Sequence, residues 1–577
     1  MHIGFGRLAR SLTVLIILSG SSFLSDDAVA QESVTQASSA IWLSQNAPAS
    51  ELSPPDIELP SLPTPPSDEP VLPPEPSLEP VLPEPVVPPP AGDRAQVMLT
   101  DIQVIGSSVF DERDFSPILS AYEGRTLGFR DFQQVADEIT RLYVASGYIT
   151  SRAILGEQTI VDGVVQVRVI EGTLENIQIE GARRLTGYVR DRISLVSRRP
   201  LNQSTLESQL QLLRADPLID KIEASLRAGT GEGQSQLIVR VLPAPLVSGR
   251  VTLDTSSPDS VGSVRMGIET DLNNLLGMGD KLSVSAFRST TGGLNTYGLI
   301  YTLPVNSMDG TFQARYLPST FELTSADLVD LGVTGASDTY EFTYRQPVIR
   351  RPDEELAFSA GFRHRTGETL VSDVVIDSTR TSIVQLSQDY LRRDQTGAWG
   401  VRSQLDIGTD WFNATDRDDE ADGQFVSWSS QVQRAQILNR SNLLLMQGSV
   451  QLSTDSLLGA DQLIVGGSNS VRGYSQNARF GDNGVRASIE NRITVQRSNN
   501  GSAALQLAPF LDTAAVWDND NNTNSQNFLL GTGVGLIANI LDDVQTRVDV
   551  GIPLVELNEP GDSDQDVFLY FSLGYRF

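Results

Sequence analysis

Few kinds of side chain in this sequence could do chemistry. Cysteine is absent and histidine occurs twice, at His2 and His364. Thiolate nucleophiles, disulfides, histidine-rich zinc sites and a Ser-His-Asp triad with a histidine to spare are therefore excluded. His364 alone reads as a wall residue on a strand. No G-x-x-x-x-G-K-[ST] cradle for a nucleotide phosphate occurs. The sequence thus predicts no catalytic residue, no metal site and no cofactor. Its 43 basic and 72 acidic residues give a net charge of -29, a balance that argues against nucleic acid as a partner. What remains is pairing between arginine and carboxylate. The most distinctive stretch is Gly466-Gly467-Ser468-Asn469-Ser470-Val471-Arg472-Gly473-Tyr474, a glycine-rich run with one guanidinium.

Those residues need elements to position them. From about Ser248 to Phe577 the apolar period is two, and sixteen strands can be traced. Among them are Lys281 to Arg288, Tyr340 to Val348, Gly397 to Gly408, Asn442 to Ser453, Val485 to Val495 and Asp566 to Phe577. Roughly 20 residues per strand suffice for a tilted membrane strand of 9 to 11 residues and a connection. The glycine-rich run falls in a long loop between the eleventh and twelfth strands. On the next strand Val485, Ala487, Ile489, Asn491 and Ile493 share one face, leaving Arg486, Ser488, Glu490, Arg492 and Thr494 on the other. Charges on that second face must point into an aqueous lumen. One strand further, Leu505, Leu507, Leu511 and Trp517 face outward, which turns Asp512 inward.

Alternation alone fits a soluble β-sandwich or propeller as well as a membrane barrel. The last strand separates them. Val567, Leu569, Phe571, Leu573, Tyr575 and Phe577 make one unbroken apolar face, while Phe568, Tyr570, Ser572, Gly574 and Arg576 make the other. An apolar face closing on an aromatic residue suits a lipid-facing strand with an interfacial anchor. The fold class expected is a transmembrane β-barrel of about sixteen antiparallel strands, over residues 245–577, in contact with membrane lipid.

The N-terminal half reads differently. Arg7 and Arg10, an apolar run from Leu12 to Leu24 and then Ala28-Val29-Ala30 form an export signal over residues 1–30. Residues 31–96 form a disordered, proline-rich linker, with sixteen of the thirty prolines between Pro54 and Pro90. The pattern around Ala40 to Leu43 is too poor to assign as a helix. From Val97 two units repeat the order β-α-α-β-β, over 97–172 and 173–244. In the first, Phe129, Phe132, Val135, Ala136, Ile139, Leu142 and Tyr143 share a helical face, and Asp162-Gly163 marks a turn. In the second, a helix is expected from Leu185 to Val196, and Ser204 with Glu207 suggests a capping box.

This repeat resembles tandem POTRA domains, the periplasmic modules of polypeptide-transporting barrels, with Gly147-Tyr148-Ile149 and Val169-Ile170-Glu171-Gly172 standing where those domains have such phrases. With Val471 to Tyr474 matched in full, the chain from Val97 to Phe577 resembles the two-partner secretion transporters, the TpsB family of hemolysin secretion and activation proteins, kin to the BamA assembly barrels. The resemblance implies that the loop folds into the barrel and that Arg472 meets an acidic residue of an F-x-D-x-G motif. Phe510-Leu511-Asp512-Thr513-Ala514 matches that motif except that Ala514 replaces its glycine. The plain alternative for Arg472 is a solvated loop charge.

The resemblance further implies transport of an unfolded exoprotein client, bound through the POTRA domains, without nucleotide. It places the barrel in the outer membrane with those domains in the periplasm. It makes Tyr575 and Phe577 a signal for the barrel-assembly machinery, and residues 31–50, whose role the sequence does not assign, stand where relatives can hold a plug helix. A BamA-like factor inserting other barrels is the second reading, and a passive porin the third.

Overall fold

In the computed structural model, residues 96–577 are described except 198–199, 327–328, 418–420, 500, 520–526, 542 and 558–566. The expected export signal and the linker up to residue 95 lie outside the described residues, as do the pattern around Ala40 to Leu43 and Asp566.

The first unit runs β1 (Asp101–Ile105), α1 (Glu112–Leu119), α2 (Phe129–Ala145), β2 (Arg152–Leu155) and β3 (Val164–Ile170). Its sheet has the order β1-β3-β2, with β1 parallel and β2 antiparallel to β3. Helix α2 forms because Phe132, Val135, Ala136, Ile139 and Tyr143 recur on one face, and all five are buried. Strand β3 alternates buried Val165, Val167 and Val169 with exposed Gln166 and Arg168, so it presents one apolar face to that helix. Asp162 and Gly163 both take positive φ, 54° and 76°, which matches a two-residue turn to the strand twist.

The second unit runs β4 (Thr173–Glu180), α3 (Thr186–Ser194), α4 (Gln203–Arg214), β5 (Ile219–Ala228) and β6 (Gln234–Pro243), with sheet order β4-β6-β5. Its core joins Val189 and Ile193 to Leu206, Leu213, Leu237 and Val239. Two expectations need correction. The first helix is shorter than Leu185 to Val196, because Arg183–Leu185 is a 3-10 turn and the helix ends at Ser194. The cap of α4 is Asn202, which accepts from the N–H groups of Ser204 and Thr205 at 3.0 and 3.4 Å, so Ser204 lies inside the helix. Glu207 instead accepts from the Gln203 side chain at 2.8 Å. Asparagine caps as well as serine does. Here its amide also donates to the Ser146 carbonyl of the first unit at 3.1 Å, a long-range contact that the local pattern does not contain.

The two units are hydrogen-bonded to each other. On the first unit's side of the junction, Glu171 accepts from that unit's own Ser108 and Val109 N–H groups at 2.6 and 3.1 Å and from its Tyr143 hydroxyl at 3.0 Å. Leu201 N–H donates to the Gly172 carbonyl at 2.7 Å and Gln203 N–H to the Gly147 carbonyl at 2.9 Å. The backbones of Gly147 and Gly172 therefore sit where one unit is fixed to the next, with Glu171 bracing the first unit beside them.

Sixteen strands then close a barrel. They are β7 (Val247–Asp254), β8 (Arg265–Asn273), β9 (Lys281–Ser289), β10 (Leu294–Pro304), β11 (Thr311–Glu322), β12 (Val333–Arg350), β13 (Glu354–Val371) and β14 (Val374–Asp394). The rest are β15 (Gly397–Gly408), β16 (Val426–Asn439), β17 (Asn442–Ser453), β18 (Asn483–Arg497), β19 (Ala503–Trp517), β20 (Phe528–Leu541), β21 (Val544–Pro553) and β22 (Phe568–Arg576). Each pairs antiparallel with its neighbours, and β22 closes on β7 from Ser572 opposite Asp254 to Arg576 opposite Arg250. Closure leaves no strand edge for the lipid to meet. On β22, Leu569, Leu573 and Tyr575 are outward and exposed while Tyr570 is buried toward the lumen. No described helix is long and apolar enough to cross a membrane.

The second unit docks on the barrel rim at the ends of β8 to β13. Arg192 of α3 pairs with Asp309 at 2.6 Å, and Asp309 also pairs with Arg350 at 2.6 Å. The Arg192 guanidinium lies 3.4 Å from the centre of the Tyr188 ring, and Tyr188 donates to Asp216 at 2.6 Å. Burial, together with the Asp216 carboxylate, raises the Tyr188 phenol above its ordinary pKa, so it remains a donor. The α+β units precede β7 at this rim, and alternate turns of the barrel return to the same side.

Candidate functional site: a loop held inside the barrel

The connection from β17 to β18 leaves the rim opposite the α+β units and folds inward. Its stalk is a short antiparallel pair, Leu463–Val465 with Arg479–Gly481. Its tip contains Gly466, Gly467 and Gly473, all at positive φ, the region that other residues adopt at a cost. At Gly473 (φ 104°) a Cβ would also lie 2.8 Å from the Ile552 carbonyl carbon, so both conformation and space require glycine. Opposite it, a Cβ on Gly531 of β20 would meet the Arg472 carbonyl oxygen at 1.8 Å. The missing side chain on the wall is what admits the loop backbone.

Arg472 is 6% exposed and Asp512 fully buried, so neither is a solvated charge. Arginine Nε and Nη2 donate to the two Asp512 oxygens at 2.7 and 3.0 Å, a bidentate pair, and the Arg472 backbone N–H adds a third bond at 3.1 Å. Nη1 donates to Glu490 at 2.6 Å. The face of Phe510, two residues before Asp512, lies 3.5 Å from the guanidinium carbon. Ala514, where the related motif has glycine, is buried with Val471 and Tyr474 in an apolar cluster. The alanine thus packs against Val471 and Tyr474 of the loop.

Strand parity accounts for the wall. Ser488 of β18 stands opposite Asp512 of β19 and donates to it at 2.6 Å. Glu490 also accepts from Arg492 at 2.8 Å and from Arg547 of β21 at 2.7 Å. Arg492 therefore joins the cluster through Glu490 and not through Arg472. Arg547 in turn pairs with Asp549 at 2.6 Å, and Asp549 lies 3.5 Å from Arg472. Three guanidinium groups and three carboxylates balance. Such a network tolerates burial because each charge has a partner, whereas removing one member leaves another poorly solvated.

Tyr474 anchors the loop a second way, donating to the Val555 carbonyl at 2.7 Å and sitting 3.0 Å from that of Leu530. Tyr570 of β22 accepts from the N–H groups of Gly473 and Tyr474 at 3.0 and 3.1 Å. The sequence offers no motif for Arg547 or Asp549, and for Tyr570 only its place on the second face of the last strand. A signal was present, since Arg547 and Asp549 alternate with Val548, Val550 and Ile552. Beneath the tip a cavity of about 250 Å³ has Arg250, Gln433, Arg472, Glu490, Arg547 and Tyr570 among its lining residues. On another side Gln476 donates to the Thr255 carbonyl just beyond β7 at 3.0 Å. His364 sits on β13 with Nδ1 2.9 Å from the Ser382 hydroxyl, a wall position. Among the described residues no cluster of His, Asp and Glu is arranged to hold a metal ion.

A closed sixteen-stranded barrel with a loop fixed in its lumen and a POTRA-type module before it defines an outer-membrane transporter. The chain belongs to the haemolysin secretion/activation protein family ShlB/FhaC/HecB, whose model matches residues 233–538. The ShlB-type POTRA domain model matches residues 97–172. The chain is 25% identical over 471 residues to the outer membrane transporter CdiB of Escherichia coli, covering 79% of each chain. It is 24% identical to the hemolysin transporter protein HpmB of Proteus mirabilis, over 66% of this chain and 70% of that one. The solved structure of CdiB from Escherichia coli superposes with a TM-score of 0.68 at 21% identity, covering 97% of this chain and all of that one. BamA from Haemophilus ducreyi, lacking POTRA domains 1-3, superposes at 0.51 with 14% identity over 84% of this chain and 100% of that one. BamA is thus a relative in fold. The protein is an outer-membrane transporter with its POTRA region in the periplasm.

Proposed function

We propose that this transporter secretes one large exoprotein of hemolysin or adhesin type, and activates it, with residues 97–172 and 173–244 as two POTRA domains that receive the client unfolded. Each α+β sheet has an outer strand, β1 or β2 and β4 or β5, on which an extended segment can add by backbone hydrogen bonds. The client then threads the lumen as the Arg472 loop shifts, and its folding outside gives the passage direction. Arg472, Gly473 and Tyr474 hold the loop, Val471 packs it, and Asp512, Glu490 and Arg492 form the wall that receives it. Tyr575 and Phe577 serve earlier, as the mark by which the assembly machinery recognises the barrel. Transport, not catalysis, is its work.

The observation that carries this reading is the bidentate Arg472–Asp512 pair, a buried link between a movable loop and a fixed wall across the path a client would take. Deleting the gene and comparing the proteomes of medium and outer membrane tests it. Loss of one large exoprotein from the medium is the expected result. Depletion of many barrels from the membrane would point to assembly instead.

A further inference from the structure

The loop is held at a second place, with the polarity reversed. At its ascending limb Asp461 accepts from Arg363 of β13 at 2.9 Å, and both residues are buried, at 6% and 5% exposure. Arg363 also faces Asp406 of β15 at 3.7 Å and stands opposite Glu341 of β12. The neighbouring Ala460 carbonyl accepts from Arg365 at 3.4 Å. Leu457 is buried against Ile383 of β14 and Phe425 just before β16. At the tip a loop arginine meets wall carboxylates; here a loop carboxylate meets a wall arginine.

The two attachments differ in strength by their geometry. Arg472 engages Asp512 through both oxygens, adds Glu490 and has its own N–H in the network. Asp461 holds Arg363 through one oxygen, and its other oxygen, Oδ2, is buried with no hydrogen-bond partner among the described residues. A fork of parallel charged bonds is stronger than a single one, and an unsatisfied buried oxygen subtracts from its pair. Arg363 also keeps Asp406 if Asp461 leaves, so release strands no wall charge.

We infer that Asp461 and Arg363 form the releasable anchor of the loop, while Arg472 on Asp512 is its pivot. Opening then starts by lifting the ascending limb from β13 and β15, with the tip still seated on β18 to β21. Asp461 and Arg363 are positioning residues in this account. It rests on the reading of the loop as a gate, but its test needs no client and no export.

The natural absence of cysteine permits a direct measurement on the full chain in membranes. One cysteine is placed at Leu458, 5% exposed beside Asp461, and in a separate protein at Val471, which is fully buried beside Arg472. Labelling by a membrane-impermeant maleimide is followed with and without Asp461→Asn. Position 458 should label about tenfold faster in the Asn variant, as befits loss of one charged hydrogen bond. Position 471 should remain protected. Adding Arg363→Gln to Asp461→Asn should speed labelling at 458 no further, because both changes remove one interaction, whereas a general loosening of the barrel would add its own increment. Equal acceleration at both positions, or no change at 458 in a protein whose gel mobility shows a folded barrel, would overturn the inference.

Discussion

The Tyr570 hydroxyl donates to the Tyr474 carbonyl at 2.6 Å while accepting the N–H groups of Gly473 and Tyr474, so one phenol on the last strand closes three backbone hydrogen bonds of the loop tip. The strand that completes the barrel thereby also fixes the loop. Tyr570→Phe keeps the ring and removes all three bonds. Leaving buried backbone groups unpaired costs about 1–3 kcal/mol each. Hydrogen exchange should therefore quicken at residues 471–474, with the barrel still resistant to unfolding in detergent. Unchanged exchange at the tip would mean that Tyr570 is not part of the attachment.

A second expectation concerns the rim. Arg192 and Arg350 share Asp309, and Arg192 is the member carried by the periplasmic unit. Breaking one partner of a buried pair typically costs about 3–5 kcal/mol, and less here because Asp309 keeps Arg350 and some water. Arg192→Ala should loosen the second α+β unit from the barrel without unfolding either. Faster hydrogen exchange confined to α3 and the turn around Asp309 is the expected signature. If exchange rises across the whole α+β unit, the arginine holds that unit together and not its docking.

The outer face gives a third. Leu573 is 40% exposed on the face that also carries Leu569 and Tyr575. A lipid-facing arginine near the bilayer centre costs about 2–4 kcal/mol, falling toward the interface. Leu573→Arg should lower the folded fraction seen by heat-modifiable gel mobility, whereas Ser572→Arg, on the alternate face, should not. Normal folding of Leu573→Arg would reverse the face assignment.

How much of this was legible in the sequence follows from where the information lies. Period-two alternation locates Glu490 and Asp512 on inward faces because a strand offers only two choices. The pairing of Arg472 with Asp512 came from the resemblance in the motifs, since no local rule states where a loop of nearly thirty residues turns. Arg547, Asp549 and Tyr570 had the right parity but no motif to draw attention to them. Arg363 and Asp461 meet only because the loop returns to a wall almost a hundred residues earlier in the chain. The role of Asn202 is likewise only half local, since the amide that caps α4 also reaches Ser146 in the other unit.

The central claim is that the Arg472–Asp512 pair serves transport more than barrel folding, and a double-mutant cycle on export tests it most directly. Arg472→Ala, Asp512→Ala and the double variant are compared for the amount of partner exoprotein reaching the medium, normalised to folded barrel in the membrane. The two single changes should reduce export by similar amounts, and the double should be little worse than either, because one interaction is lost in all three. Losses that combine independently, or normal export from both single variants, would contradict the account.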